Sequence, residues 1–74
     1  MEITPQEFTD KINQLATDPQ YPGSNPDYGV ELVQKPFGYD LQALGDTDMQ
    51  FIRDCYREVY KEFQPKPTVL FPKA

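Results

Sequence analysis

The chain has 74 residues with no histidine, a single cysteine and a formal net charge of −5. This length predicts one domain, residues 1–74, with a small hydrophobic core. The lone cysteine excludes an internal disulfide, and the lack of histidine excludes Cys/His zinc sites and the Ser–His and Cys–His catalytic pairs. A catalytic carboxylate pair needs a cleft, for which so small a domain has little room. We therefore expect no enzyme, no metal and no other cofactor.

The acidic excess lies entirely in the first half of the chain. Residues 1–34 hold six acids against one base, whereas residues 35–74 hold six of each. Binding of nucleic acid or an anionic membrane needs a positive surface, so we expect neither, and any charge-steered partner is expected to be basic. No apolar stretch approaches the ~20 residues that cross a bilayer. The first residues also lack the pattern of a signal peptide, so we expect a cytoplasmic location.

A capping box predicts the first helix, at about residues 5–17. Thr4, Pro5 and Glu7 suit the N-cap, N1 and N3 positions. Asp18 stands before Pro19, which disfavours further helix. One face carries an apolar stripe at helical spacing, formed by Phe8, Ile12, Leu15 and Ala16.

The middle and the end of the chain predict loops and short strands. Residues 18–29 hold three prolines and two glycines, which is typical of turns. Residues 30–33 predict a strand, and residues 40–44, followed by Gly45, predict one central turn of helix. Residues 65–74 form a proline-rich extended tail in which residues 68–71 predict an edge strand. Pairing of 30–33 with 68–71 would give a two-stranded ribbon below the helices.

The second helix is predicted at about residues 48–64. Thr47 and Gln50 offer a capping box, and Pro65 stops the helix. Its polar face alternates acids and bases, which predicts a solvated network with pairs such as Glu58–Lys61. Its apolar arc is about 180° wide and comprises Met49, Phe51, Ile52, Cys55, Tyr56, Val59, Tyr60 and Phe63. Together these elements predict a small α+β fold.

This arc is wider than packing against one short helix requires. We therefore consider Phe51 and Tyr60, on its opposite flanks, as candidates to face a partner, because exposed aromatic residues often mark interfaces. The alternative is that both residues belong to the core. Cys55 lies inside the arc, where a thiol is usually an inert small apolar group.

Three more aromatic residues are candidate contacts outside the helices. Tyr21 and Tyr28 lie in the long loop, where residues 19–22 match PxxP and residues 25–28 match NPxY, two patterns that other proteins read in peptides. The alternative is that both patterns consist of ordinary turn-forming residues. Phe71 lies in the tail, which could add as an edge strand to another chain.

These features predict a small acidic module that binds another protein as an inhibitor, adaptor or accessory subunit. The first alternative is an acidic mimic of nucleic acid, of the phage counter-defence type, that inhibits a DNA- or RNA-binding protein. Its surface would comprise Asp10, Asp18, Asp27 and Glu31. The second alternative is a structural subunit of a homo-oligomer. Salt separates the first two, since screening weakens a charge-driven complex more than an apolar one.

Overall fold

The computed structural model describes residues 1–70, which contain two helices and five short strands. The predicted α+β class is confirmed. Within these residues neither helix has the length and apolar character needed to cross a membrane. In chain order the elements are β1 (Glu2–Ile3), α1 (Pro5–Thr17), β2 (Val30–Lys35), β3 (Gly38–Ala43), α2 (Met49–Tyr60), β4 (Gln64–Pro65) and β5 (Val69–Leu70).

The first helix begins and ends where the sequence predicts. The Thr4 hydroxyl accepts a hydrogen bond from the Glu7 amide at 3.1 Å. The Glu7 carboxylate in turn accepts one from the Thr4 amide at 3.0 Å, which completes the capping box. Because both backbone donors are satisfied locally, α1 starts without help from the rest of the fold.

The second helix differs from the prediction at both ends. Its N-cap is Asp48, whose carboxylate accepts from the amides of Gln50 and Phe51, and no capping box forms at Thr47. The helix ends at Tyr60 and not near residue 64. The Gln64 amide donates to the Met1 carbonyl at 2.8 Å, so the chain leaves the helix early to pair β4 with β1 in parallel.

The predicted central turn of helix is wrong, because residues 40–43 belong to β3. This strand forms an antiparallel hairpin with β2, joined by the two residues Pro36 and Phe37. Gly38, with φ +143°, closes the turn in a conformation that side chains disfavour. Tyr39, Leu41 and Ala43 recur with the two-residue period of a strand, so all three lie on the same face of the sheet.

The predicted ribbon between residues 30–33 and 68–71 is also wrong. The β5 strand pairs in parallel with β3, opposite Tyr39 and Asp40, and gives the sheet order β2-β3-β5. The edge position predicted for residues 68–71 is confirmed for Val69 and Leu70, whereas Phe71 lies outside the described residues. The Tyr56 hydroxyl donates to the Val69 carbonyl at 2.7 Å and ties β5 to α2.

One core joins the inner face of this sheet to the apolar faces of both helices. The helices also pack on each other. Because successive strand residues point to opposite faces, burial of Leu41 leaves Asp40 and Gln42 on the outer face. The largest fully buried apolar side chains are Phe8, Ile12, Val30, Leu41, Ile52, Cys55 and Val69.

Candidate functional site

An open groove lies between α1 and α2, near the C-terminal ends of both helices. Its floor is apolar and consists of Leu15 from α1, Val59 from α2 and Phe63 from the turn after α2. Val59 is buried, while Leu15 and Phe63 are only partly covered by the core. These side chains continue the apolar stripes of the two helices past the point where the helices cover each other. We call this feature, with Lys11, Gln14, Asp18, Glu58 and Glu62 on its walls, the interhelical groove.

The walls of the interhelical groove carry an excess of negative charge. Asp18, Glu58 and Glu62 supply three carboxylates against the one ammonium group of Lys11. The Lys11 ammonium lies 4.2 Å from the centre of the Phe63 ring, within the range of a cation–π contact. Glu58 is also paired with Lys61 at 3.2 Å, which confirms the predicted i, i+3 pair. Apolar surface bounded by carboxylates suits a ligand that is both apolar and cationic.

Phe51 lies beneath the long loop and away from the interhelical groove. Its ring centroid is 5.8 Å from those of both Tyr21 and Tyr28, and all three side chains are partly buried. Gly23, with φ +90°, permits this approach, since a Cβ atom there would stand 2.9 Å from the Phe51 ring. Burial raises the pKa of the Tyr21 hydroxyl. These three candidate contacts therefore form one aromatic cluster that attaches residues 18–29 to α2.

Within residues 1–70, Tyr60 is the most exposed of the predicted aromatic contacts, at 45%. Its ring stacks on Tyr56 at 5.9 Å and meets the edge of Phe8 at 6.4 Å, so one side is packed and the other faces solvent. It does not line the interhelical groove. Phe71, the remaining aromatic candidate, lies outside the described residues.

The four acids of the predicted mimic surface lie on different parts of the fold. Asp18 lines the interhelical groove, and Asp27 lies beside Tyr28 at a separate depression. Asp10 is exposed on α1, where it accepts a hydrogen bond from Gln6. Glu31 is exposed on the outer face of β2.

The NPxY-like segment forms a turn within the long loop. The Asn25 side chain accepts from the Asp27 amide at 2.8 Å, and the Asn25 carbonyl accepts from the Tyr28 amide at 3.0 Å. This is the local hydrogen bonding that asparagine commonly supplies in turns. The segment therefore has an internal structural role.

Sequence reasoning missed two polar side chains that connect distant segments. Asn13 accepts from the Val30 amide at 2.8 Å and donates to the Val30 carbonyl at 2.9 Å. The buried Thr47 hydroxyl accepts from the Gly29 amide at 2.9 Å. Each residue belongs to a type that is common on helix surfaces and in turns, so the sequence offered no signal for these contacts.

It also missed two exposed large apolar side chains of the sheet. Phe37 is 98% exposed at the tip of the β2–β3 hairpin, and Leu70 is 54% exposed opposite Asp40 on the outer face of the sheet. Because the sequence did not predict the β2–β3 hairpin, neither residue could be assigned to the surface. Neither residue lines the interhelical groove.

Cys55 is fully buried, as expected for an inert thiol. Burial, with a smaller contribution from the neighbouring Asp54 carboxylate, raises the pKa of Cys55 to about 11. At neutral pH the sulfur is therefore protonated and inaccessible, whereas a nucleophilic cysteine needs the thiolate.

No protein-family model matches this chain, and no curated protein or solved structure matches it either. A small α+β architecture does not by itself specify a function. The case for a function therefore rests on the chemistry of the surface.

Proposed function

We propose that this protein is a small binding module that holds a basic, partly apolar segment of another protein in the interhelical groove. In this role it acts as an inhibitor, adaptor or accessory subunit. The observation that carries the proposal is the combination of an apolar floor with three acidic side chains, Asp18, Glu58 and Glu62, around it.

The floor supplies affinity and the walls supply selectivity. Covering the exposed parts of Leu15 and Phe63 removes apolar surface from water, which is the main favourable term in most associations. The carboxylates attract a basic partner and disfavour an acidic one. An incoming lysine or arginine can replace Lys11 over the Phe63 ring, so part of the site is already arranged for a cation.

The nucleic-acid mimic is the second candidate function. Its support is the acidic excess of residues 1–34. A mimic must present its acids to one partner surface, whereas Asp10, Asp27 and Glu31 lie on a helix, a loop and a strand. Asp18 is common to both hypotheses, but Glu58 and Glu62 belong only to the groove. These two acids, and the other three acids of the mimic surface, therefore distinguish the hypotheses.

A pull-down from source-cell lysate with paired charge variants tests the proposal. The groove variant is Glu58→Gln with Glu62→Gln, and the matched control is Asp10→Asn with Asp27→Asn. Each variant removes two negative charges, but only the first changes the interhelical groove. We expect a basic protein to be captured by the wild type and the control and to be strongly reduced with the groove variant. Quantitative mass spectrometry gives the ratio.

Three results would contradict the groove. Equal capture by all three proteins would show that the groove acids have no role. Loss with the Asp10 and Asp27 control alone, together with release at high salt, would favour the mimic, because a purely charge-driven complex is sensitive to screening. Capture of an acidic partner would also be inconsistent with the charges around the floor.

A further inference from the structure

We propose that the free edge of β2 pairs with the β2 strand of a second copy, which gives a two-fold symmetric dimer with a continuous six-stranded sheet. This inference rests on the hairpin alone and is independent of the interhelical groove. It follows from three features of β2. These are the backbone groups that point away from β3 without a hydrogen bond, the residues that bound this stretch, and the charged side chains beside it.

The hairpin register determines which backbone groups of β2 face outward. In an antiparallel pair, every second residue directs both its N–H and its C=O to the partner strand. The Gly29 carbonyl accepts from the Leu44 amide at 3.0 Å, which identifies this pair as a hydrogen-bonded one. Counting along the register, the next hydrogen-bonded residues of β2 are Glu31, Val33 and Lys35. The intervening residues Val30, Leu32 and Gln34 therefore direct their backbone groups away from β3.

The open stretch has a defined end on each side. At Val30 the outward groups are already taken, since the Asn13 side chain bonds to both. On the other side Pro36 has no N–H to donate. Within residues 1–70 no hydrogen bond occupies the outward groups of Leu32 and Gln34. The free edge of β2 thus consists of these two residues.

One antiparallel register satisfies both open residues at once. With a two-fold axis at Val33, Leu32 faces Gln34 of the second copy, and symmetry repeats this pair, so four backbone hydrogen bonds form. The same register sets Val30, whose outward groups already bond to Asn13, against Pro36 of the second copy, which has no N–H to donate. A shift by two residues in either direction would place an open residue opposite Val30 or Pro36 and lose bonds.

The side chains beside the axis complement one another in this register. Glu31 of each copy faces Lys35 of the other on the outer face of the sheet, which gives two cross-strand ion pairs. Both residues are exposed in the single chain. Val33 meets its own counterpart at the axis, so an apolar contact lies between the two pairs. Opposite charges directly across neighbouring strands stabilise pairing, and like charges destabilise it.

Charge exchange in purified protein tests the dimer by sedimentation equilibrium. In Glu31→Lys the strand carries two lysines, and in Lys35→Glu it carries two glutamates, so each variant opposes its own copy with like charges. We expect each variant to dimerise at least about tenfold more weakly than the wild type. An equimolar mixture restores opposite charges at both pairs, and we expect it to dimerise about as tightly as the wild type.

The two single variants also separate the edge from general charge effects. Glu31→Lys reduces the net negative charge of the chain, so association governed by overall repulsion would become tighter and not weaker. Gln34→Pro removes an outward N–H without touching the bonds to β3, and Gln34→Thr keeps that N–H as the matched control. We expect dimer loss with proline alone, with circular dichroism used to verify that each variant is folded.

A wild-type chain that stays monomeric up to about 1 mM would overturn the proposal, because that limit corresponds to only about 4 kcal/mol of binding free energy. A dimer that survives in both charge variants, or a mixture that fails to restore association, would overturn the assignment to β2. None of these measurements requires the partner of the interhelical groove, so failure of either proposal leaves the other open to its own test.

Discussion

Replacing Asn13 with alanine should destabilise the fold strongly, although Asn13 is partly exposed on α1. The Asn13 amide is the link between this helix and the start of β2, where it makes two hydrogen bonds to Val30. Val30 is only 2% exposed, so water cannot readily replace the missing amide. Alanine leaves one backbone donor and one backbone acceptor without a partner.

The expected loss is about 2–5 kcal/mol in the free energy of unfolding. An unsatisfied buried polar group costs about 1–3 kcal/mol, and two such groups are created. Alanine recovers a few tenths of a kcal/mol through its higher helix propensity. Total stability for a chain of this length is about 4–11 kcal/mol. Each kcal/mol lost lowers the melting temperature of such a domain by about 4–8 °C, so the variant should melt roughly 10–40 °C below the wild type.

Urea denaturation followed by far-ultraviolet circular dichroism measures the effect. Gln14→Ala is the matched control, because it makes a similar change on the adjacent, exposed position of α1 without removing a side-chain hydrogen bond. We expect the control to remain within about 0.5 kcal/mol of the wild type. If Asn13→Ala were equally mild, Val30 would not depend on this amide, and the blocked end assigned to the β2 edge would be refuted.

Three further predictions concern buried groups and the first helix cap. Thr47→Val should cost about 1–3 kcal/mol, because it leaves the Gly29 amide without its acceptor; Thr47→Ser, which keeps the hydroxyl, should cost less in the same urea assay. Cys55 should react with a thiol reagent at pH 8 only as fast as the protein opens, so the rate should rise steeply with urea; rapid labelling of the native protein would contradict its burial. The backbone and side-chain hydrogen bonds of Thr4 lower the pKa of Glu7 below 4.5. A lowered pKa in the folded state means that this stabilisation is present above the unfolded pKa and is lost as the pH falls through the folded one. Urea midpoints from about pH 6 to about pH 3 should therefore fall less steeply for Glu7→Gln than for the wild type, and parallel curves would contradict the capping box.

The elements that sequence predicted well are those determined by local interactions. The start of α1 depends on Thr4 and Glu7, which satisfy each other within one turn. The burial of Cys55 follows from its place in an apolar helical stripe. In both cases the residues that decide the outcome lie within a few positions along the chain.

Predictions failed where distant segments compete for the same residues. Residues 40–43 have an acceptable helical pattern, but pairing with β2 on one side and β5 on the other makes them a strand. The second helix ends early since the Gln64 amide bonds to Met1 at the far end of the chain. No local rule describes either contact.

The candidate site was partly within reach of the sequence. Glu58 belonged to the predicted polar face of the second helix, and Phe63 belonged to its apolar arc. The crossing of the two helices brings Glu58 and Phe63 close to Leu15 and Asp18. The sequence did not specify this crossing. The aromatic candidate Phe51 instead packs against Tyr21 and Tyr28 of the long loop.

Site-specific photo-crosslinking tests directly whether a basic partner binds in the interhelical groove. A photoreactive phenylalanine analogue replaces Gln14, on the groove wall, or Gln42, which is exposed on the outer face of the sheet. After irradiation in source-cell lysate, we expect a basic protein to be captured from position 14 and not from position 42. Capture from position 42 alone would place the partner on the sheet and contradict the groove as the binding site.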